Sequence, residues 1–308
     1  MTGTVVILGS ANADLVVEVE RRPQGGETLL GSDLHVFAGG KGANQAAAAA
    51  RAGAPTRFLG CVGDDGNGAF LRARLGEAGV LLDGLRSGER PTGTAMILLT
   101  PDGENSIVVS PGANSAVDIP MAESMASVWS TAAVLVLGLE IPASTVAHVA
   151  PEAAAAGVRV LLNAAPAATL DDRTIAVCDP LVVNEHEARI VLGANAGPDD
   201  SFADLAERLL ARGARSVVIT LGASGALIAD AAGTEVVPAY RVDVVDTTGA
   251  GDAFVGALAC ELARGVELRP AVRFATAMSA VAVQGKGAQS SYRDRADVDA
   301  FIAATPLG

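Results

Sequence analysis

From Val134 onward the chain repeats one pattern: a short apolar run, a polar or glycine-rich break, then a stretch with helical spacing. Val134–Leu137 precedes Glu140 and a helix from about Ala143, and Arg159–Asn163 is a further strand. Leu181–Val183 runs into Asn184-Glu185-His186-Glu187 at the head of a helix, and Ser201 is placed to cap a helix reaching Arg212. Ser216–Thr220 then closes on Leu221-Gly222-Ala223-Ser224-Gly225. Near the N-terminus, Thr4–Leu8 ended by Gly9-Ser10 is a strand of the same kind. Such alternation demands a largely parallel sheet with helices on both faces. Ligands of open α/β sheets bind beyond the carboxyl ends of the strands. Asp14, Glu140, Asn184 and Thr220 each follow an apolar strand and are therefore expected to converge on one crevice.

Two stretches break the pattern. Between Leu15 and Phe37 short strand-like pieces follow one another around the turn Arg22-Pro23-Gln24-Gly25-Gly26. The same texture returns at Thr94–Leu99 and Ile107–Val109, which flank the hairpin signal Pro101-Asp102-Gly103. These insertions, at about 13–37 and 93–110, predict a small separate β-sheet beside the main body, the anatomy of a lid. No repeat, low-complexity linker or charge run marks an independent second domain, so residues 1–308 read as one domain carrying that lid.

Composition narrows the partners. Apolar residues make up 50% of the chain but aromatics only 3%, so the core is built from Ala, Val, Leu and Ile. Net charge is −13 and spread along the chain, which argues against nucleic acid or an anionic membrane, both of which need a basic footprint. Cys61, Cys178 and Cys260 are far apart with no CxxC spacing and read as small core residues in a reducing compartment. His35, His148 and His186 make no metal-ligand spacing. No signal-peptide pattern precedes Thr4–Leu8 and no apolar run reaches the ~20 residues that span a bilayer, so a soluble, cytoplasmic protein is expected.

Four polar stretches carry the chemistry. Asp246-Thr247-Thr248-Gly249-Ala250-Gly251-Asp252 follows an expected strand, Tyr240–Val245, and opens a helix running to Arg264. Small residues let backbone approach a ligand, amides at a helix N-terminus attract anions, and Asp252 places a carboxylate beside those donors. An Asp in a first turn also simply favours the macrodipole. Gly39-Gly40-Lys41-Gly42-Ala43-Asn44 runs into an Ala-rich helix ending near Arg51, with Lys41 and Asn44 on one face. It lacks the GxxxxGK[ST] pattern of a Walker A loop. Asn12-Ala13-Asp14 is a polar pair in a loop, which an Asx-turn explains equally well. After a helix from about Pro270 to Val283, Gln284–Ser291 offers carbonyls and hydroxyls, the ligands a hard cation prefers, though a plain turn would look the same.

Taken in order, these motifs make the chain resemble the ribokinase family of carbohydrate kinases over essentially its whole length. The resemblance rests on Gly9-Ser10-Ala11-Asn12-Ala13-Asp14, Gly39-Gly40-Lys41-Gly42-Ala43-Asn44-Gln45-Ala46, Asn184-Glu185-His186-Glu187, Thr220–Gly225 and Asp246–Asp252. It implies a three-layer α/β/α fold with a mainly parallel central sheet and a β lid, the lids of two subunits clasping into a homodimer. It implies transfer of the γ-phosphoryl group of ATP to the O5 hydroxyl of D-ribose, with Asp252 as base and Gly249, Ala250 and Gly251 as the phosphate-holding amides. Asn12, Ala13, Asp14, Gly40, Lys41, Gly42, Ala43, Asn44, Glu140, Asp246 and Asp252 would hold the sugar.

By the same resemblance Asn184 and Glu187 would place phosphate and Mg²⁺. Thr220, Leu221, Gly222, Ala223, Ser224, Gly225, Gly251, Asp252 and Thr276 would border the nucleotide. A K⁺ site would draw on Asp246, Thr248, Ala282, Gly285, Gly287 and Ser291. Thr276 stands where relatives carry His or Asn, and Ala38 where some have Pro. Two other readings remain at this level: a kinase of another sugar or nucleoside (2-deoxyribose, fructose, adenosine), and a non-catalytic sugar-binding protein. The intact Asp252, glycines and NxxE element weigh against the second.

Overall fold

The computed structural model describes residues 3–101, 105–197 and 199–306. Its strands are β1 (Val5–Leu8), β2 (Asn12–Glu18), β3 (His35–Gly39), β4 (Thr56–Gly63), β5 (Leu81–Gly88), β6 (Gly93–Leu99) and β7 (Asn105–Ser110). They continue as β8 (Val134–Gly138), β9 (Arg159–Asn163), β10 (Cys178–Asn184), β11 (Ser216–Thr220), β12 (Ala226–Asp230) and β13 (Gly233–Val237). Nine form one sheet in the order β13-β12-β11-β10-β9-β8-β1-β4-β5. Pairing is parallel from β11 to β5, and β12 and β13 add an antiparallel edge.

Alternation along each strand builds both layers of the core. Val5, Ile7, Val134 and Val136 face the helices Lys41–Arg51, Ala250–Ala263 and Leu268–Ala282, whereas Val6, Leu8, Leu135 and Leu137 face Ala143–Ala155, Glu185–Leu192 and Phe202–Ala211. The three-layer expectation therefore holds. The Ala250–Ala263 helix is buried on all sides from Asp252 onward, as an apolar sequence without a polar face requires. Its neighbour on the same layer, Lys41–Arg51, presents Ala43 and Ala46–Ala49 to the interior. Small side chains on both helices allow a close approach. A Cβ on Gly256 would stand 2.4 Å from the Gln45 carbonyl and 2.6 Å from the Ala48 Cβ.

The remaining four strands form a second sheet in the order β3-β2-β6-β7. β2 pairs antiparallel with β3 and parallel with β6, so the two insertions, far apart in sequence, meet in one lid. Asp102 and Gly103 of the expected hairpin turn lie outside the described residues.

Two local expectations change. Asn12–Asp14 is part of strand β2 and pairs with Gly39, Ala38 and Phe37; it is no loop. Among the described residues Tyr240–Val245 joins no strand pair. The sheet ends at β13, and the Val245 N–H bonds instead to the Val283 carbonyl at 2.8 Å. All three cysteines are buried and free. Among the described residues, no helix is long and apolar enough to cross a membrane.

Candidate active site

Strand order places the site. From β1 the chain runs to β4 and β5 on one side, then returns to β8, β9 and β10 on the other, so the switch point lies between β1 and β8. There Ser10, just past β1, donates from Oγ to Glu140 Oε2, just past β8, at 2.6 Å. The same carboxylate oxygen accepts the Lys41 N–H at 2.9 Å, fixing the start of the Lys41–Arg51 helix over the crevice. Gly40 makes that entry possible. Its φ is +85°, and a Cβ there would meet the Asn12 main-chain nitrogen at 2.6 Å.

Asp252 is buried at the foot of the Ala250–Ala263 helix, 8% exposed. Each of its oxygens accepts one side-chain amide: Asn44 Nδ2 reaches Oδ2 and Gln45 Nε2 reaches Oδ1, both at 3.0 Å. Gln45 Nε2 also lies 3.0 Å from Asn163 Oδ1, at the end of β9. Burial raises the Asp252 carboxyl above its ordinary range, while Lys41 and the two amides pull the other way. The turn in front of it has Gly249 at φ +74°, packed so that a Cβ would stand 2.5 Å from the Ala288 Cβ. The Ala250 N–H folds back onto the Thr247 carbonyl at 3.2 Å. The amides of Gly251 and Asp252 are the next two in the first turn, where helix geometry supplies no partner. Among the described residues a Cβ on Gly251 would meet nothing within 4 Å, which leaves this end of the helix open.

Around this carboxylate the charges crowd. Asp14 is pushed up to about 7, first by burial and then by Glu140 and Asp252. Lys41 loses hydration on burial, but Asp252, Glu140 and Glu187 more than restore its charge and hold its pKa above the ordinary value. Asn12 is buried, and its Oδ1 accepts from Asn114 Nδ2 at 2.7 Å, which leaves its own amide group to donate. Ala13 and Ala43 are fully buried beneath these residues, and Gly42 packs against Gly9 and Ser10.

Next to it, a cleft of about 240 Å³ brings Lys41, Asn184, Glu187, Thr220 and Gly251 around Asp252. Asn184 and Glu187 form a reciprocal capping box, with Glu187 Oε2 on the Asn184 N–H and Asn184 Oδ1 on the Glu187 N–H, both 2.8 Å. Burial raises the Glu187 carboxyl. Thr220, Thr247 and Gly251 also border a larger, mainly apolar cavity of about 480 Å³ lined by Tyr240, Val242, Phe254 and Thr276. Gly222, Ala223 and Gly225 line that cavity, whereas Leu221 and Ser224 belong to the same turn. Thr276 donates its hydroxyl proton to the Val272 carbonyl of its own helix at 2.9 Å, so only its methyl and lone pairs face outward.

The remaining expected residues gather behind the Gly249 turn. Asp246 Oδ1 accepts the Thr248 N–H at 2.9 Å and Oδ2 accepts the Gly287 N–H at 2.8 Å. The Ala282 carbonyl accepts from Gly285 N, and Ser291 Oγ donates to the Ala288 carbonyl. Tyr292 Oη donates to the Gly249 carbonyl at 2.9 Å. Sequence reasoning left out Gln45, Asn163, Asn114, Gln289 and Tyr292 as site residues. Of these Gln45 carried a signal as the residue next to Asn44 at a helix start, and Asn163 as the polar residue ending an expected strand.

This geometry has well-defined relatives. The model of the pfkB family of carbohydrate kinases matches residues 2–295. The chain is 42% identical over 306 residues to the ribokinase of Schizosaccharomyces pombe, covering 96% of each protein. It is similar in structure to the Thermotoga maritima ribokinase, with TM-score 0.91, 32% identity, and 98% and 99% of the two chains covered. The Arabidopsis thaliana ribokinase complexed with ribose and ATP gives TM-score 0.91 and 35% identity over 98% and 99% of the chains. By these matches and by its fold, the chain belongs to the pfkB family of carbohydrate kinases.

Proposed function

We propose that the chain acts as a ribokinase, transferring the γ-phosphoryl group of ATP to the O5 hydroxyl of D-ribose to give D-ribose 5-phosphate and ADP. One observation carries this reading: a buried carboxylate, Asp252, accepts from Asn44 and Gln45, lies in the cleft that also holds Lys41, Asn184 and Glu187, and follows Gly251, which borders both that cleft and a second, apolar cavity. Relatives of similar length named ribokinase support the choice of sugar.

Asn12, Asp14, Lys41, Asn44 and Glu140 offer carboxylate, amide and ammonium groups that can accept from and donate to several hydroxyls at once. The cavity beside Tyr240 and Thr276 takes the adenine, and Thr220, Thr247 and Gly251 lead the phosphates into the smaller cleft. Asp252 accepts the O5 proton as O5 bonds to the γ-phosphorus, and the bond from that phosphorus to the β–γ bridging oxygen breaks. The amides of Gly251 and Asp252, with Lys41, stabilise the charge moving onto the phosphoryl oxygens and ADP.

The donor set suits Mg²⁺ held mainly through water. Glu187 has one oxygen committed to its cap, leaving the other for a hydrated ion, and Mg²⁺ keeps several waters. The carbonyls, Asp246 carboxylate and Ser291 hydroxyl behind the turn are oxygen ligands of the kind K⁺ takes. A homodimer through the lid is consistent with one apolar face of its sheet, where Val36, Met96 and Val108 are 41%, 49% and 61% exposed.

The test is ADP release with ribose, 2-deoxyribose, fructose and adenosine, followed by identification of the phosphorylated carbon by NMR. Ribose should give the highest kcat/KM, with phosphate on C5. Faster turnover of adenosine or fructose, or phosphate on another carbon, would overturn the substrate assignment.

A further inference from the structure

The loop after the Leu268–Ala282 helix holds the site at separate points: the Gly287 N–H on Asp246, Gln289 Nε2 on Asn44 Oδ1 at 3.0 Å, and Tyr292 Oη on the Gly249 carbonyl. The middle contact differs from the other two. It reaches across the site to the sugar helix and ends one residue from the reacting group. An ionised Asp252 can only accept, so Asn44 must present Nδ2 to it, and Asn44 Oδ1 is thereby turned toward Gln289. Gln289 must then present its own NH₂. The amide polarity of the whole chain follows from the carboxylate, with no free choice of flip. Gln289 Oε1, by contrast, is buried with no hydrogen-bond partner among the described residues. A buried polar atom left unpaired is costly, so the side chain is not placed there for its own satisfaction.

We propose that Gln289 is a positioning residue for phosphoryl transfer, holding Asn44 in the one orientation that serves both Asp252 and the sugar. The inference rests on Asp252 being the base, as proposed above. Without the Gln289 donor, Asn44 Oδ1 loses its partner, and the amide is free to rotate away from Asp252 Oδ2. The carboxylate would then keep the Gln45 donor and the Lys41 charge, facing Asp14, Glu140 and the Tyr292 hydroxyl with one fewer hydrogen bond. The loop that fastens Asp246 and Gly249 thus also sets the geometry of the base, which links three parts of the site through a single short segment.

The experiment is a double-mutant cycle. Gln289→Met keeps the length and volume of the side chain but cannot donate. At saturating ribose and ATP its kcat should fall roughly two- to tenfold, the factor one neutral hydrogen bond supports, with KM for ATP unchanged. Introduced into Asn44→Ala, the same substitution should change kcat little, because its route to Asp252 is already gone. Gln289→Ala serves as a second variant with the same expectation, and thermal unfolding checks that each protein is folded. A wild-type kcat in Gln289→Met, or an equal loss in the two backgrounds, would overturn the proposal. Asp252→Asn separates the two readings. If it keeps turnover, the base assignment fails and the inference with it; if it loses turnover while the cycle shows no coupling, only the role of Gln289 fails.

Discussion

The carbonyl oxygen of Gln45 occupies the space a side chain on Gly256 would need, 2.4 Å from where its Cβ would lie. Gly256 stands four residues after Asp252 and so shares its helix face. The close approach of the two helices is what lets side chains as short as Asn44 and Gln45 reach the Asp252 carboxylate from a neighbouring helix.

Gly256→Ala should therefore lower activity from a position that touches no substrate. Alanine favours a helix by up to ~1 kcal/mol over glycine, but the clash with backbone on the facing helix costs about 1–3 kcal/mol as overpacking. The variant should melt at a lower temperature than wild type. Its kcat should drop more than tenfold, since a displacement of about 1 Å at a reacting group can cost 10²-fold. Steady-state kinetics with a melting curve checks both, and an unchanged kcat in a folded variant would refute the spacing argument.

Asp252→Asn keeps the shape and removes the carboxylate proposed as the base. Turnover should fall by roughly the 10²–10⁴-fold typical of a positioned general base, while ribose affinity measured by calorimetry changes much less. Near-normal turnover would reject the assigned role.

At Asp14 the structure predicts a trade between stability and binding. Its carboxyl is held at about 7 by burial, Glu140 and Asp252. A carboxyl with a raised folded pKa binds its proton more tightly when folded, so stability falls as pH rises from about 4 toward 7. Asp14→Asn removes that penalty. Its advantage in Tm over wild type should be smallest near pH 4, grow to about pH 7 and then level off, at ~2–4 °C for each kcal/mol. Ribose binding should weaken in the same variant. A Tm difference independent of pH would show that Asp14 carries no such burden.

Much of this site could be read from the chain because its chemistry is local. The Gly249–Asp252 turn, the Gly40–Asn44 helix entry and the Asn184–Glu187 capping box are each contiguous, and each folds as its own residues direct. Asn114 and Gln289 were not legible, and nor was the Gln45 contact of Asn163, although Asn163 ends an expected strand. Asn114, Asn163 and Gln289 act on Ala11 and Asn12, on Gln45, and on Asn44 across separations of more than a hundred residues, and no local pattern marks such pairs. The edge of the main sheet misled for a related reason. Tyr240–Val245 has the apolar content of a strand, but the edge was already taken by β13, whose hairpin with β12 turns at Ala231-Ala232 without the Asn-Gly signature that usually announces one.

Asp246 supplies the last prediction. Burial pushes its carboxyl up, yet the Thr248 and Gly287 donors, with Lys286 nearby, hold it below the usual range, so it stays charged at working pH. Its two oxygens bind the turn at Thr248 to the Gln284–Ser291 loop, and a monovalent cation among the neighbouring carbonyls would reinforce that junction. Wild-type turnover should be higher in K⁺ than in tetramethylammonium at equal ionic strength. Asp246→Asn retains one acceptor oxygen but loses the charge and one tether, so its rate should be low and nearly the same in both salts. Loss of the tether alone would lower the rate while leaving the ratio between the two salts as in wild type. That ratio therefore separates a cation site from a purely internal fastening, and equal wild-type rates in the two salts would dispose of the cation altogether.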